Sequence, residues 1–189
     1  CERMVQRAWH NYRADNAIVS DPTLDNPDQV TARERVGQQI VATRQTEWRS
    51  LGAQLDVRYA ASPLIIADGT PEPATNPETY EPTARPGHRA PHVTLPDGRS
   101  VLDLFGGRFT LLNLATHAQS RSLVEAFHTR HVPLDVEHVN SEAAQRIYGC
   151  AIALIRPDGI VAWRGNTCPP DPGEVVDQIT GRAAKARSC

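Results

Sequence analysis

Sulfur is the first place to look for chemistry in this sequence, and its four cysteines, Cys1, Cys150, Cys168 and Cys189, lie no closer than 18 positions apart. A zinc knuckle or a dithiol exchange centre needs two sulfurs within a few residues, as in CxxC, so this spacing supports neither. Reduced, structurally incidental thiols in a cytoplasmic protein are the expectation. His128, His131 and His138 put two rings on one helix about 300° apart, which suits a metal only if a third ligand and a carboxylate converge on them; no metal site is expected. Ser120 has no Gly-x-Ser-x-Gly elbow around it and reads as a helix cap rather than a nucleophile. No GxGxxG follows a strand, and neither a Walker-type phosphate loop nor HExxH occurs, so no cofactor-binding residue is assigned in this chain. A chain that opens on Cys instead of Met is expected to be cut from something longer, or to be a lipoprotein whose first cysteine carried the lipid. Structured residues from Glu2 to Arg13 in place of a Gly/Ser-rich tether favour the fragment.

Charge narrows the partners. Residues 1–80 hold 8 basic and 11 acidic residues and the remainder 12 and 11, for a net charge of -2. Neither part has the surplus of positive charge that a phosphate backbone calls for, so nucleic acid is not an expected partner. No run approaches the roughly 18 apolar residues of a membrane span, so no membrane partner is expected either. Hydrophobic residues at 40% and charged residues at 22% are those of a globular protein with a modest core.

The elements that would position any site come from periodicity. Met4, Val5, Ala8, Trp9 and Tyr12 share one helical face, and Asp15–Asp28 with its two prolines is expected to break that helix. A second helix is predicted over Val30–Leu51, with Val36, Ile40, Val41, Trp48 and Leu51 inward and Gly52 as its stop. Leu55, Val57 and Tyr59 then alternate as in a half-buried strand. From Pro63 to Pro96 eight of the fifteen prolines fall in 34 residues, which excludes helix over most of the segment. Its basic end, Ala84–His92, reads equally as a solvated connector or as a strap laid across a neighbouring surface.

Beyond it, strands are predicted at Val93–Leu95, Ser100–Leu104, Phe109–Leu114, Pro133–Val139, Ala151–Ile155 and Ile160–Arg164, and helices at Ser120–His131, Ser141–Tyr148 and Pro172–Ala184. The order from Phe109 onward is thioredoxin-like. The expected fold is therefore α/β: residues 1–62 form two helices and a strand of an incomplete upstream domain, residues 63–92 a Pro-rich linker, and residues 93–189 a thioredoxin-like domain lacking the CxxC. Leu111, Leu123, Phe127, Val136, Ile152, Leu154, Val161 and Ile179 are its expected core.

Three stretches, taken in order, resemble one family. Leu51–Tyr59 leading to Ser62-Pro63-Leu64-Ile65, then Ala84–His92 with Leu95–Ser100 and Leu102–Gly106, then Leu154–Gly165, are similar to the C-terminal third of FAD-dependent aromatic-ring hydroxylases of the phenol and polyketide type. The resemblance implies a parent enzyme that binds FAD, takes electrons from NADPH or NADH, and inserts one oxygen atom of O2 into an activated aromatic ring. It also implies that the flavin ligands lie upstream, that the upstream FAD-binding domain and an aromatic small molecule are the partners, and that the thioredoxin-like part serves packing or homodimer contacts.

The family commonly has Gly-Tyr-Arg-Tyr where this sequence has Asp56-Val57-Arg58-Tyr59. Arg58 is accordingly the candidate catalytic residue on the substrate-pocket side, since a permanently charged guanidinium favours a phenolate; the alternative is an outward arginine in a surface ion pair. The competing function is a non-catalytic thioredoxin-like binding module anchored through Cys1.

Overall fold

The computed structural model describes residues 2–19 and 30–182. Cys1, Cys189, most of the expected break after Asp15 and the end of the predicted last helix lie outside the described residues. The chain divides into two compact units, one holding the residues up to Leu55 together with Ala74–Glu81, the other Asp56–Pro73 and everything from Pro82 onward.

The first unit contains α1 (Glu2–Val19), α2 (Val30–Trp48) and the short α3 (Leu51–Leu55). Helix α1 runs through Asp15 and Asn16, where the sequence pattern calls for a break, because these residues are poor helix formers but not breakers and no Pro or Gly intervenes. Val36 is buried in this unit, whereas Val5, Trp9, Tyr12, Ile40, Val41, Trp48 and Leu51 are exposed. Gly52 does not stop a helix; it sits inside α3, so close to the carbonyls of Asn76 and Thr79 that a Cβ would lie 1.8 Å from the Asn76 oxygen. The predicted strand through Leu55, Val57 and Tyr59 is also corrected. Leu55 ends α3, and the residues after it make a single antiparallel bridge, Arg58 to His88.

The second unit is built on a four-stranded sheet of order β2-β1-β3-β4, from β1 (Phe109–Asn113), β2 (Leu134–His138), β3 (Ile152–Ile155) and β4 (Val161–Gly165). β1 pairs parallel with β2 and antiparallel with β3, and β3 pairs antiparallel with β4. A parallel pair needs a crossover, supplied here by α4 (Arg121–Thr129). The other helices are α5 (Glu142–Tyr148), whose Ser141 cap accepts from the Ala144 amide, and α6 (Pro172–Ile179), capped by Asp171 with Pro172 in the first turn. This is the thioredoxin-like arrangement expected from the element order, with the last two strands in the same sheet.

Side chains alternate across the sheet and divide the core in two. On one face Leu111, Ile152 and Leu154 meet α4 and α6 through Leu123, Phe127, Val176 and Ile179. On the other, Leu112, Leu114, Ala153 and Ile155 meet Tyr148 of α5 and the extended segment carrying Ala84, Ala90, Val93, Leu95 and Val101. Seven of the eight expected core residues are buried; Val136 is 38% exposed. It lies on the edge strand β2, which pairs on one side and has no buried residue along its length.

The expected strands at Val93–Leu95 and Ser100–Leu104 reduce to one bridge, Thr94 to Ser100, followed by a 3-10 turn over Val101–Leu104. A capping box explains the turn: the Ser100 hydroxyl accepts from the Leu102 amide and the Ser100 amide donates to Asp103 Oδ2.

The end of the Pro-rich segment is a strap. Pro86, Gly87, His88, Ala90 and Pro91 are buried, and the segment extends the sheet edge: the Gly87 amide donates to the Val161 carbonyl at 2.8 Å and the Val161 amide to the His88 carbonyl at 2.9 Å. On the strap's other side the Tyr59 amide donates to the Gly87 carbonyl at 2.7 Å and the Arg89 amide to the Val57 carbonyl at 3.2 Å. The buried Tyr148 hydroxyl donates to the Pro91 carbonyl at 3.2 Å. Gly87 has φ +88°, and a Cβ there would lie 2.6 Å from Ala60 Cα.

Gly87→Ala is therefore expected to lower the unfolding free energy by about 1–3 kcal/mol through left-handed strain, with the backbone clash adding to it. Urea denaturation monitored by the tryptophans checks this, and an unchanged midpoint would contradict the strap geometry.

Candidate functional site

Two places in the second unit gather chemistry-bearing side chains. The first is the junction of β1 with α4, where a thioredoxin would carry its dithiol. A cavity of about 610 Å³ opens there, lined among others by His117, Gln119, Arg121, Ser122, Asn166 and Cys168. Cys168 is its sulfur, and the thiol donates to the Gln119 carbonyl at 3.0 Å. Cys150 is partly buried, desolvation pushes its thiol up to about 11, and it does not line this cavity. Thiolate exchange needs a second sulfur beside the first, and among the described residues the junction cavity is lined by Cys168 alone of the cysteines. Ser120 occupies the N-cap position of α4, but its side chain makes no capping hydrogen bond there. His128, His131 and His138 are all exposed, and among the described residues no group of three or more His, Cys, Asp or Glu could hold a metal ion.

The second place surrounds Arg58. Its guanidinium grips Asp56 with both arms, Nε to Oδ1 at 2.8 Å and Nη2 to Oδ2 at 2.6 Å, the planar fork that carboxylates fit best. Nη1 donates to the Pro73 carbonyl at 2.6 Å and to Glu72 Oε1 at 3.1 Å. Arg85 pairs with the second Glu72 oxygen at 2.5 Å and donates from Nε to the Thr70 carbonyl at 3.0 Å. His88 lies among these groups, its Nδ1 3.7 Å from Asp56 Oδ1 and its Nε2 3.3 Å from Glu72 Oε1. The Nε2 contact is misaligned, so that atom is buried without a hydrogen bond. Side-chain exposures of 3% for His88, 11% for Asp56, 12% for Arg58 and 15% for Arg85, against 42% for Glu72, show which carboxylate borders water.

Hydrogen bonding to Asp56 holds the Arg58 guanidinium above its ordinary range, so it stays charged throughout. Burial pushes the His88 imidazole below its usual range, opposed by the Glu72 and Asp56 carboxylates and reinforced by the two arginines. With a neutral imidazole, two guanidinium and two carboxylate charges balance.

The sequence singles out Arg58 and places Arg85 and His88 on a basic strap, but it does not bring Asp56 and Glu72 to them. The legible signal is the excess of basic residues at Arg85, His88 and Arg89 in a segment too rich in proline to be helical. Its counter-charges come from positions 13 to 32 residues away and carry no local pattern.

The thiol chemistry at the first place is directly measurable. Cys168 is expected to react with iodoacetamide at pH 8 at least about tenfold faster than Cys150, whose thiol is raised by desolvation, and the chain should reduce insulin only at background rate. Exchange activity lost on replacing Cys168 would contradict this reading.

A family model for the aromatic-ring hydroxylase C-terminal domain matches residues 83–183. Among curated proteins the chain is 33% identical over 144 residues to the FAD-dependent monooxygenase apdD of Emericella nidulans, covering 72% of this chain and 23% of that protein. It is also 33% identical over 142 residues to aklavinone 12-hydroxylase RdmE of Streptomyces purpurascens, covering 68% and 26% respectively. Among solved structures, native and K252c-bound RebC-10x superposes with a TM-score of 0.82 at 33% identity, over 95% of this chain and 34% of that one. The chain thus spans about a quarter of the curated relatives it matches. With more than half of its residues inside the family model and relatives that are FAD-dependent monooxygenases and polyketide hydroxylases, the chain belongs to the aromatic-ring hydroxylase C-terminal family.

Proposed function

We propose that this chain is the C-terminal part of a flavin-dependent monooxygenase that hydroxylates a phenolic or polyketide aromatic substrate with O2 and NADPH or NADH. The observation that carries the reading is the RebC-10x superposition, which takes in 95% of this chain but 34% of that one. A second supporting structure is aklavinone-11 hydroxylase in a ternary complex with FAD and aklavinone, with a TM-score of 0.56 at 31% identity. Helices α1 to α3 then belong with the upstream flavin and substrate portion, and the sheet-bearing unit serves packing or homodimer contacts. No helix among the described residues is long and apolar enough to cross a membrane, which is compatible with a cytoplasmic enzyme.

FAD in this proposal is held upstream. A dinucleotide needs a glycine-rich turn opening a helix for its pyrophosphate and an acidic side chain for its ribose. The strand-to-helix passages described here, residues 114–120 before α4, 139–141 before α5 and 166–171 before α6, carry no glycine. The residues present do not fit the group, and no catalytic step of this chain runs through it. The 189-residue chain mixed with excess FAD and desalted should be colourless. Retention of stoichiometric flavin would refute the division, and an upstream reading frame without GxGxxG would refute the proposal as a whole.

Arg58 enters the proposal as a fixed positive charge on the substrate-pocket side. Its support is the two-armed grip of Asp56, which leaves the guanidinium one orientation. Arg58→Lys in the complete hydroxylase should lower kcat at least about tenfold at unchanged FAD content, because lysine keeps the charge but not the fork. A lowered thermal midpoint with unaltered kcat would reduce Arg58 to its ion pairs.

A further inference from the structure

All the residues of the Arg58 cluster belong to the second unit. The three passages between units fall at Leu55–Asp56, Pro73–Ala74 and Glu81–Pro82, and the cluster draws on residues close to each: Asp56 and Arg58 after the first, Glu72 and the Pro73 carbonyl before the second, Arg85 and His88 after the third. Within the second unit these contacts join the returning segment 56–73 to the strap. The strap's backbone there hydrogen-bonds Tyr59 and Val57 on one side and Val161 on the other.

We propose that Asp56, Arg58, Glu72, Arg85 and His88 form a proton-released latch, closed on the strap while the His88 imidazole is neutral and opened when it is protonated. The groups facing the ring are Asp56 and Arg58 from the segment after α3, Glu72 from the end of that segment and Arg85 from the strap itself. They balance to zero charge with a neutral ring, so a proton on His88 places a net positive charge beside two fixed guanidinium groups, in a site where the ring is 3% exposed. Desolvation and the two arginines oppose that charge, and the two carboxylates offset part of it.

Linkage gives the sign. An imidazole whose folded value lies below its unfolded value of about 6.5 takes up its proton first in the opened state. Closure is therefore at full strength above about pH 6.5 and weakens as pH falls below it. Glu72, the most exposed member, is the acceptor nearest the unpartnered Nε2. Its charge offsets part of the imidazolium's cost in the closed cluster and pairs both arginines, so removing it weakens closure and shifts opening to higher pH.

Amide hydrogen exchange of the 189-residue chain between pH 7.5 and 5, expressed as protection factors, reads the latch directly. Tyr59, Gly87 and Arg89, whose amides bond across the strap, should lose about tenfold or more in protection on acidification. Leu114 and Val139, bonded to Ala151 and Asn113 within the sheet, should stay constant. His88→Gln should abolish the acid step, and Glu72→Gln should move its midpoint up. A wild-type strap whose protection does not change with pH, or an acid step retained in His88→Gln, overturns the proposal. If His88→Gln does not fold, the Glu72→Gln midpoint decides: an upward shift supports the latch and an unchanged or lowered value overturns it.

Discussion

Strands β1 and β3 are buried on both faces, with Leu111, Leu112, Ile152, Ala153, Leu154 and Ile155 all fully enclosed, and this double burial sets what the rest of the sheet-bearing unit must supply. A sheet apolar on both sides needs a layer on each. Helices α4 and α6 cover one face and are tied by the two-armed pair of Arg130 with Asp177 at 2.8 and 3.0 Å. The other face has α5, a helix of 7 residues, and the remaining area is closed by the extended segment through Ala84, Ala90, Val93 and Val101.

Covering a core with extended, proline-rich chain imposes a demand that a helix does not. A helix satisfies its own backbone groups, whereas an extended strap must find partners outside itself or leave buried amides unmatched. The strap meets this by lying between β4 and residues 57–59, and in doing so it covers a sheet edge that would otherwise be open to pairing. Its charges come with it. Arg85 and His88 cannot be enclosed without counter-charges, and Asp56 and Glu72 provide them. A buried ion cluster adds little net stability once desolvation is counted, so its effect lies in fixing which residues of the returning segment meet which residues of the strap.

The β1–α4 junction separates this domain from the redox proteins whose architecture it shares. The cavity is there, with Cys168 as the one sulfur that lines it among the described residues, whereas the chemistry of exchange needs two. Fold alone would suggest an oxidoreductase of the wrong kind; the side chains at the junction and the match to aromatic-ring hydroxylases point elsewhere.

The order of strands and helices from Phe109 to Ile179, seven of the eight core residues chosen by period and the Ser141 cap are all legible in the sequence, because each depends on neighbours within a few positions. The failures share the opposite property. Val57 and Tyr59 alternate like a strand, yet the chain beside them is in register for one bridge. Gly52 looks like a helix stop and is instead a contact point with Asn76 and Thr79. Val136 alternates correctly but stands on an edge strand none of whose residues is buried. The meeting of Asp56, Glu72, Arg85 and His88 is equally out of the sequence's reach, because charges attract across space irrespective of sequence separation, and only the folded path of two proline-rich segments brings them together.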